Sequence, residues 1–159
     1  MAGQARRIAL ITGASRGLGL ALARALASRG WELVVDARGA DDLERAAAEL
    51  PAATVVRAIP GDVTDPEHRQ RLVDEARSLG GLHLLVNNAS RLGPSPQPRL
   101  DRYPLPELRR VYEANVLAPL GLIQRALPLL RESNGRILDI TSDAGVEGSE
   151  EWGGYGSSK

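Results

Sequence analysis

Tyr155 and Lys159 stand four residues apart in Tyr155-Gly156-Ser157-Ser158-Lys159, a spacing that places both side chains on one face of a helix. A phenol near a fixed ammonium is suited to acid–base chemistry, because a free phenol titrates near pH 10 and a neighbouring cation favours its ionised form. Ser142 lies thirteen residues before Tyr155, at the end of the apolar run Arg136–Ile140 and inside Thr141-Ser142-Asp143-Ala144-Gly145. A fourth polar group, Asn115, falls on a stripe formed by Leu108, Val111, Tyr112, Pro119, Ile123 and Leu127, and a buried amide needs partners. Pro119 has no N–H to give the carbonyl of Asn115, so that oxygen is free to hold a water; a kinked helix with a satisfied core Asn is the plainer reading. Near the other end of the chain, Gly13-Ala14-Ser15-Arg16-Gly17-Leu18-Gly19 follows an apolar run and opens a helical pattern. Backbone N–H groups at such a strand-to-helix turn can face a pyrophosphate, although a glycine-rich tight connection is the bland alternative.

The elements needed to bring these residues together are legible as alternation. Apolar runs recur at Arg7–Thr12, Trp31–Val35, Thr54–Ile59, Leu82–Val86 and Arg136–Ile140, with helical periodicity between them. Leu18, Leu22 and Leu26, with Ala21 and Ala25 beside them, mark the expected inner face of the first helix. Thr64-Asp65-Pro66-Glu67 opens another, whose stripe is Leu72, Val73, Ala76 and Leu79. Parallel strands with helical crossovers predict a Rossmann-type, doubly wound α/β sheet with helices on both faces, receiving ligands at the carboxyl ends of its strands. Gly93-Pro94-Ser95-Pro96-Gln97-Pro98 reads as a surface loop.

The second run ends in Val34-Val35-Asp36-Ala37-Arg38, where such a fold reads the ribose of a dinucleotide: an acid bonds the 2′-hydroxyl, an arginine accommodates a 2′-phosphate. Arg38 and Arg16 suit the phosphate, or are two solvated surface cations. Strand alternation turns Asp36 to the opposite face. Gly61-Asp62-Val63 and Asn87-Asn88-Ala89 close the third and fourth runs; Asp62 could equally cap the next helix.

Taken with the glycine turn, Asn87-Asn88-Ala89, Asn115, Ser142 and the Tyr155/Lys159 pair, the chain resembles the short-chain dehydrogenase/reductase family from Arg7 to Lys159. The resemblance implies an oxidoreductase acting on a carbonyl or the corresponding alcohol through a Ser-Tyr-Lys-Asn tetrad. In that reading Tyr155 gives the proton, Ser142 orients the oxygen, Lys159 tunes the phenol and holds the nicotinamide ribose, and Asn115 anchors a water. It also implies a cofactor site made of Gly13, Ser15, Arg16, Gly17, Leu18, Gly19, Arg38, Asp62, Val63, Asn88, Ala89, Tyr155 and Lys159. The family's NAD-selecting Asp is replaced by Ala37, with Arg38 next, which favours NADPH/NADP over NAD. Ser90 replaces the Gly that ends the family's Asn-Asn-Ala-Gly motif, which bears on the local backbone.

Composition narrows the partners. Twenty Lys and Arg balance twenty Asp and Glu, leaving no basic footprint for nucleic acid and no polybasic membrane anchor. There is no cysteine, and His68 and His83 have no ligand-like spacing, so no metal site is expected. The apolar runs are too short to span a bilayer and Met1-Ala2-Gly3-Gln4 leads into no signal pattern, which points to the cytoplasm. We expect one NAD(P)-binding catalytic domain over residues 1–159, incomplete at its C-terminus beside the family pattern, with a small-molecule substrate and a homo-oligomeric state when full length. Two rivals remain: a nucleotide-binding fragment or regulator without turnover, and a sugar-nucleotide epimerase or dehydratase of the extended branch. The glycine spacing and Asn87-Asn88-Ala89 argue against the second.

Overall fold

The computed structural model describes residues 6–148 and 150–159. Its elements are β1 (Arg7–Ile11), α1 (Gly17–Ala27), β2 (Trp31–Ala37), α2 (Ala40–Ala48), β3 (Val56–Pro60), α3 (Pro66–Leu79), β4 (Leu84–Asn87), α4 (Leu105–Tyr112), α5 (Ala118–Glu132), β5 (Arg136–Asp139) and α6 (Gly153–Gly156). The five strands form one parallel sheet in the order β3-β2-β1-β4-β5, so the chain winds outward from β1, then crosses back to β4. That reversal between β1 and β4 opens a crevice at the strands' carboxyl ends. β3 starts two residues later than the sequence pattern suggests, β2 runs two residues longer, and β4 is Leu84–Asn87 rather than Leu82–Val86.

Alternation along the strands divides the core in two. Ile8, Leu10, Val34 and Leu85 meet Leu72, Val73 and Ala76 of α3 and Leu122, Ala126 and Leu129 of α5. Ala9, Ile11, Leu33, Val35 and Val86 meet Ala23 and Ala27 of α1 and Leu43 of α2. With no Phe in the chain, these aliphatic side chains supply the burial that holds the layers together.

Two helix faces differ from the expectation. The buried residues of α1 are Gly19, Ala23 and Ala27, while Leu22 and Leu26 flank them half-buried and Leu18 is 52% exposed. A helix that starts on a tight turn beside the sheet must present small residues to approach it closely. Asn115 lies not in a continuous α-helix but in a π-helical turn, Glu113–Leu117, between α4 and α5. On α5 the stripe centres on Ala118, Leu122, Ala126 and Leu129 rather than on Pro119, Ile123 and Leu127. Pro119, Ile123 and Leu127 each follow a buried residue by one position, about 100° around the helix, and are half-buried at the edge of that face. Asp65 caps α3, its side chain accepting the Glu67 N–H at 2.9 Å, and Pro66 begins the first turn. Residues 93–98 form an irregular loop, as their composition suggests. Among the described residues no helix is long and apolar enough to cross a membrane. The first four residues, where a leader pattern was sought, lie outside the described residues.

Candidate active site

The turn after β1 is built by hydrogen bonds that cross the crevice. Thr12 Oγ1 accepts the N–H groups of Asn88 and Ala89, each at 3.0 Å, and the Asn88 amide donates to the carbonyls of Thr12 (2.9 Å) and Gly13 (3.0 Å). Asn87 donates to Asp139 Oδ1 at 2.7 Å, tying β4 to β5. Thr12 is a site-forming residue that the sequence reading did not single out; its place at the end of β1, opposite an Asn-Asn pair, was the available signal. Gly13 (φ +67°) and Gly17 (φ +56°) are left-handed, a conformation glycine adopts without strain. Gly19 has another reason: a Cβ there would collide with the Gly13 carbonyl and the Asn88 side chain. Ser90 is absent from the residues with positive φ, so the replacement of Gly leaves the backbone in an ordinary region.

A cleft of about 680 Å³ lies over this turn. Gly13, Ser15, Arg16, Gly17, Leu18, Arg38, Asp62, Val63, Asn88 and Ala89 line it together with Arg91 and Arg110. Gly19 is buried beneath it, and Tyr155 and Lys159 lie elsewhere. The N-terminus of α1 has Arg16 at its cap with no side-chain hydrogen bond and no acid in its first turn, so the helix's leading N–H groups and dipole are left for an anion from the cleft. Arg16 and Arg38 form no ion pair among the described residues. Asp62 accepts the Thr64 N–H and hydroxyl, each at 2.9 Å, and so shapes a turn rather than capping α3. Burial would raise its carboxyl, but those two bonds and the Arg38 charge outweigh it and hold Asp62 below the usual carboxylate range.

A second cleft, of about 300 Å³, holds Asn115, Ser158 and Lys159 with Asn87, Asp139 and Ile140. The half-buried Asn115 side chain is satisfied on both ends. Its Oδ1 accepts from the Arg91 N–H (2.8 Å) and the Ser90 hydroxyl (3.3 Å), while Nδ2 donates to the Arg91 carbonyl (3.0 Å) and Ser158 Oγ (2.8 Å). Asn115 therefore clamps the segment after β4 to the turn that carries Lys159. Lys159 Nζ donates to the Ile140 carbonyl at 2.7 Å and sits 5.8 Å from the centre of the Tyr155 ring. Burial lowers the ammonium's pKa, with the Asp139 charge opposing.

The four tetrad positions do not form one hydrogen-bonded chain. Ser142 donates to Asp143 Oδ1 (2.9 Å) and accepts the Ala144 N–H (3.2 Å), and among the described residues no hydrogen bond joins Tyr155 to Ser142 or Lys159. α6 spans only Gly153–Gly156, and the following N–H groups of Ser158 and Lys159 bond three residues back, to Tyr155 and Gly156. Tyr155 and Lys159 thus flank a tightened last turn rather than share a regular helix face. Trp152 meets Tyr155 edge-on with ring centres 6.0 Å apart, and Glu150 pairs with Arg99.

Known proteins resemble this chain in sequence and in fold. A 3-oxoacyl-(acyl-carrier-protein) reductase of rhamnolipid biosynthesis from Pseudomonas aeruginosa is 36% identical over 162 residues, covering 98% of this chain and 62% of that protein. Among solved structures, an NAD+-bound xylitol dehydrogenase matches with a TM-score of 0.89 at 31% identity, over 96% of this chain and 59% of its own. An alcohol dehydrogenase from Thermococcus sibiricus complexed with 5-hydroxy-NADP matches with a TM-score of 0.88 at 33% identity, over 96% of this chain and 65% of its own. The chain thus spans about three-fifths of the length of each. The family model described as short chain dehydrogenase matches residues 7–159, from the first strand through the glycine turn to Tyr155 and Lys159, and the chain belongs to that family.

Proposed function

We propose that this chain carries the dinucleotide-binding and catalytic part of an NADPH-preferring oxidoreductase that reduces a small-molecule carbonyl or oxidises the corresponding alcohol. The observation that carries this reading is the uncapped N-terminus of α1 opening on a cleft lined by Arg16 and Arg38, which form no ion pair among the described residues. A pyrophosphate fits the first and a 2′-phosphate the second. Ala37 leaves the neighbouring position without an acid, and the relatives whose structures hold NAD+ or 5-hydroxy-NADP are equally close in fold, so the NADPH preference rests on the arginines.

The dinucleotide, when bound, supplies or takes the hydride. Tyr155 gives its proton to the developing alkoxide, and Ser142 hydrogen-bonds the same oxygen. Lys159, anchored by the Ile140 carbonyl, places a positive charge near the Tyr155 ring. Asn115 holds the turn bearing Ser158 and Lys159 in register with the end of β4. The balanced charge supports a small molecule, rather than nucleic acid or a membrane surface, as the ligand.

Titration calorimetry of the full-length protein should show tighter binding of NADPH than NADH, with Arg38→Ala weakening NADPH by roughly tenfold or more and sparing NADH. Equal affinities in the parent protein would remove the NADPH preference. A second reading, nucleotide binding without turnover, draws on the engagement of Ser142 by Asp143 and Ala144. Absence of reduction across a panel of ketones and aldehydes, with NADPH bound, would favour it.

A further inference from the structure

The side chain of Asp36 leaves β2 on the same side as Val34, beneath the turn between β1 and α1, and is 1% exposed. Its Oδ1 accepts the Gly13 N–H at 2.8 Å, and its Oδ2 lies 3.0 Å from Nε2 of His68. His68 comes from the first turn of α3, has no exposed surface, and packs under Gly61 so closely that a Cβ there would strike the imidazole. The other ring nitrogen, Nδ1, faces the Arg71 guanidinium at 3.4 Å. A guanidinium only donates, so Nδ1 accepts and Nε2 carries the proton that goes to Asp36. One carboxylate thus gathers N–H donors from the glycine turn and from α3.

Each contact has a physical consequence. A buried carboxylate without donors is costly, and burial indeed pushes the Asp36 carboxyl upward, with the His68 and Gly13 hydrogen bonds opposing it. The Gly13 N–H points inward to Asp36, which leaves the N–H groups from the start of α1 facing the cleft. Were the Asp36 side chain withdrawn, the Gly13 N–H would lose the acceptor it has among the described residues, and the left-handed turn at φ +67° would be held by the Asn88 bonds and by the backbone bond from the Ala14 N–H to the Asp36 carbonyl (2.8 Å).

We propose that Asp36 and His68 are positioning residues for the dinucleotide: the pair sets the glycine turn that receives the pyrophosphate, and so acts on NADPH and NADH alike. This rests on the dinucleotide reading above. An acid at the end of β2 would ordinarily be taken as a reader of the ribose 2′-hydroxyl. Here it faces the wrong side of the strand, and its partner is a histidine.

The test compares three variants of the full-length protein by thermal unfolding and by calorimetric titration with NADPH and with NADH. His68→Leu strands the Asp36 carboxylate and should weaken both dinucleotides by roughly tenfold or more without altering their ratio. His68→Gln, whose Nε2 can occupy the place of the histidine Nε2, should restore both. Because His68→Leu can also fail to fold, the double variant Asp36→Leu/His68→Leu is decisive. Replacing both polar partners by apolar groups keeps the layer packed, so its melting temperature should stay near the parent's while both affinities fall. A folded double variant that binds either dinucleotide as tightly as the parent overturns the proposal, as does a change in the NADPH-to-NADH ratio. A parent protein that binds neither dinucleotide overturns the dinucleotide reading and this proposal with it, whereas a lost preference at Arg38 leaves this proposal standing.

Discussion

A Tyr155→Phe protein is expected to bind NADPH as the parent does and to lose carbonyl reduction by about 10²- to 10⁴-fold, the usual worth of a positioned acid or base. The substitution removes one oxygen and keeps everything that locates the ring. Trp152 still packs edge-on against it, and the turn beneath stays pinned because Tyr103 lies against Gly154 and Leu100 against Gly153 too closely for any larger residue. Among the described residues the Tyr155 hydroxyl makes no hydrogen bond, so its loss leaves no buried partner stranded and should not destabilise the fold. Turnover is followed by NADPH absorbance with a panel of small ketones, and binding by titration. Substantial residual reduction would move the acid to Ser142, whose hydroxyl would then have to leave Asp143 to reach the substrate.

The sheet was legible because alternation on buried parallel strands leaves little freedom: once Ile8 and Leu10 face one side and Ala9 and Ile11 the other, the helices that cover them follow. The same alternation turned Asp36 to the inner side of β2, where it is buried with the Gly13 N–H and His68 as partners. Carried one step further, it would have found His68, since an inward carboxylate needs a donor and one of only two histidines sits in the first turn of the adjacent crossover helix. The inner face of α1 was misjudged because size was taken as a proxy for burial, whereas the turn admits only Gly19 and Ala23 close to the sheet. The π-helical turn at Glu113–Leu117 leaves no mark in a pattern read at 3.6 residues per turn, yet it carries the residue that joins the two clefts. Asn115 was chosen as a buried amide in need of partners; it has four, all from loops whose spatial position no local pattern reports. Ser142 and Tyr155 were singled out by spacing and resemblance, and spacing carries no information on side-chain direction.

The glycine turn separates two demands that a motif treats as one. Gly19→Ala is expected to destabilise the protein by about 1–3 kcal/mol and to abolish tight dinucleotide binding, because an added Cβ meets the Gly13 carbonyl and the Asn88 amide, neither of which can yield cheaply. The carbonyl is backbone in a left-handed turn, and the amide is committed to Thr12 and Gly13. Relief would require α1 to lift off the end of β1, which carries its leading N–H groups away from the cleft. Gly17 differs: a Cβ there meets nothing within 4 Å beyond its chain neighbours and its own helix backbone, and only φ +56° disfavours a side chain. Asparagine tolerates that conformation, so Gly17→Asn should melt close to the parent. Yet Gly17 lines the cleft, so the new side chain stands where the pyrophosphate must approach, and affinity should fall with stability intact. Thermal unfolding and NADPH titration of both variants measure the two effects separately. A Gly19→Ala protein that melts with the parent would show that the close approach of α1 to the Asn88 loop is not what the third glycine serves.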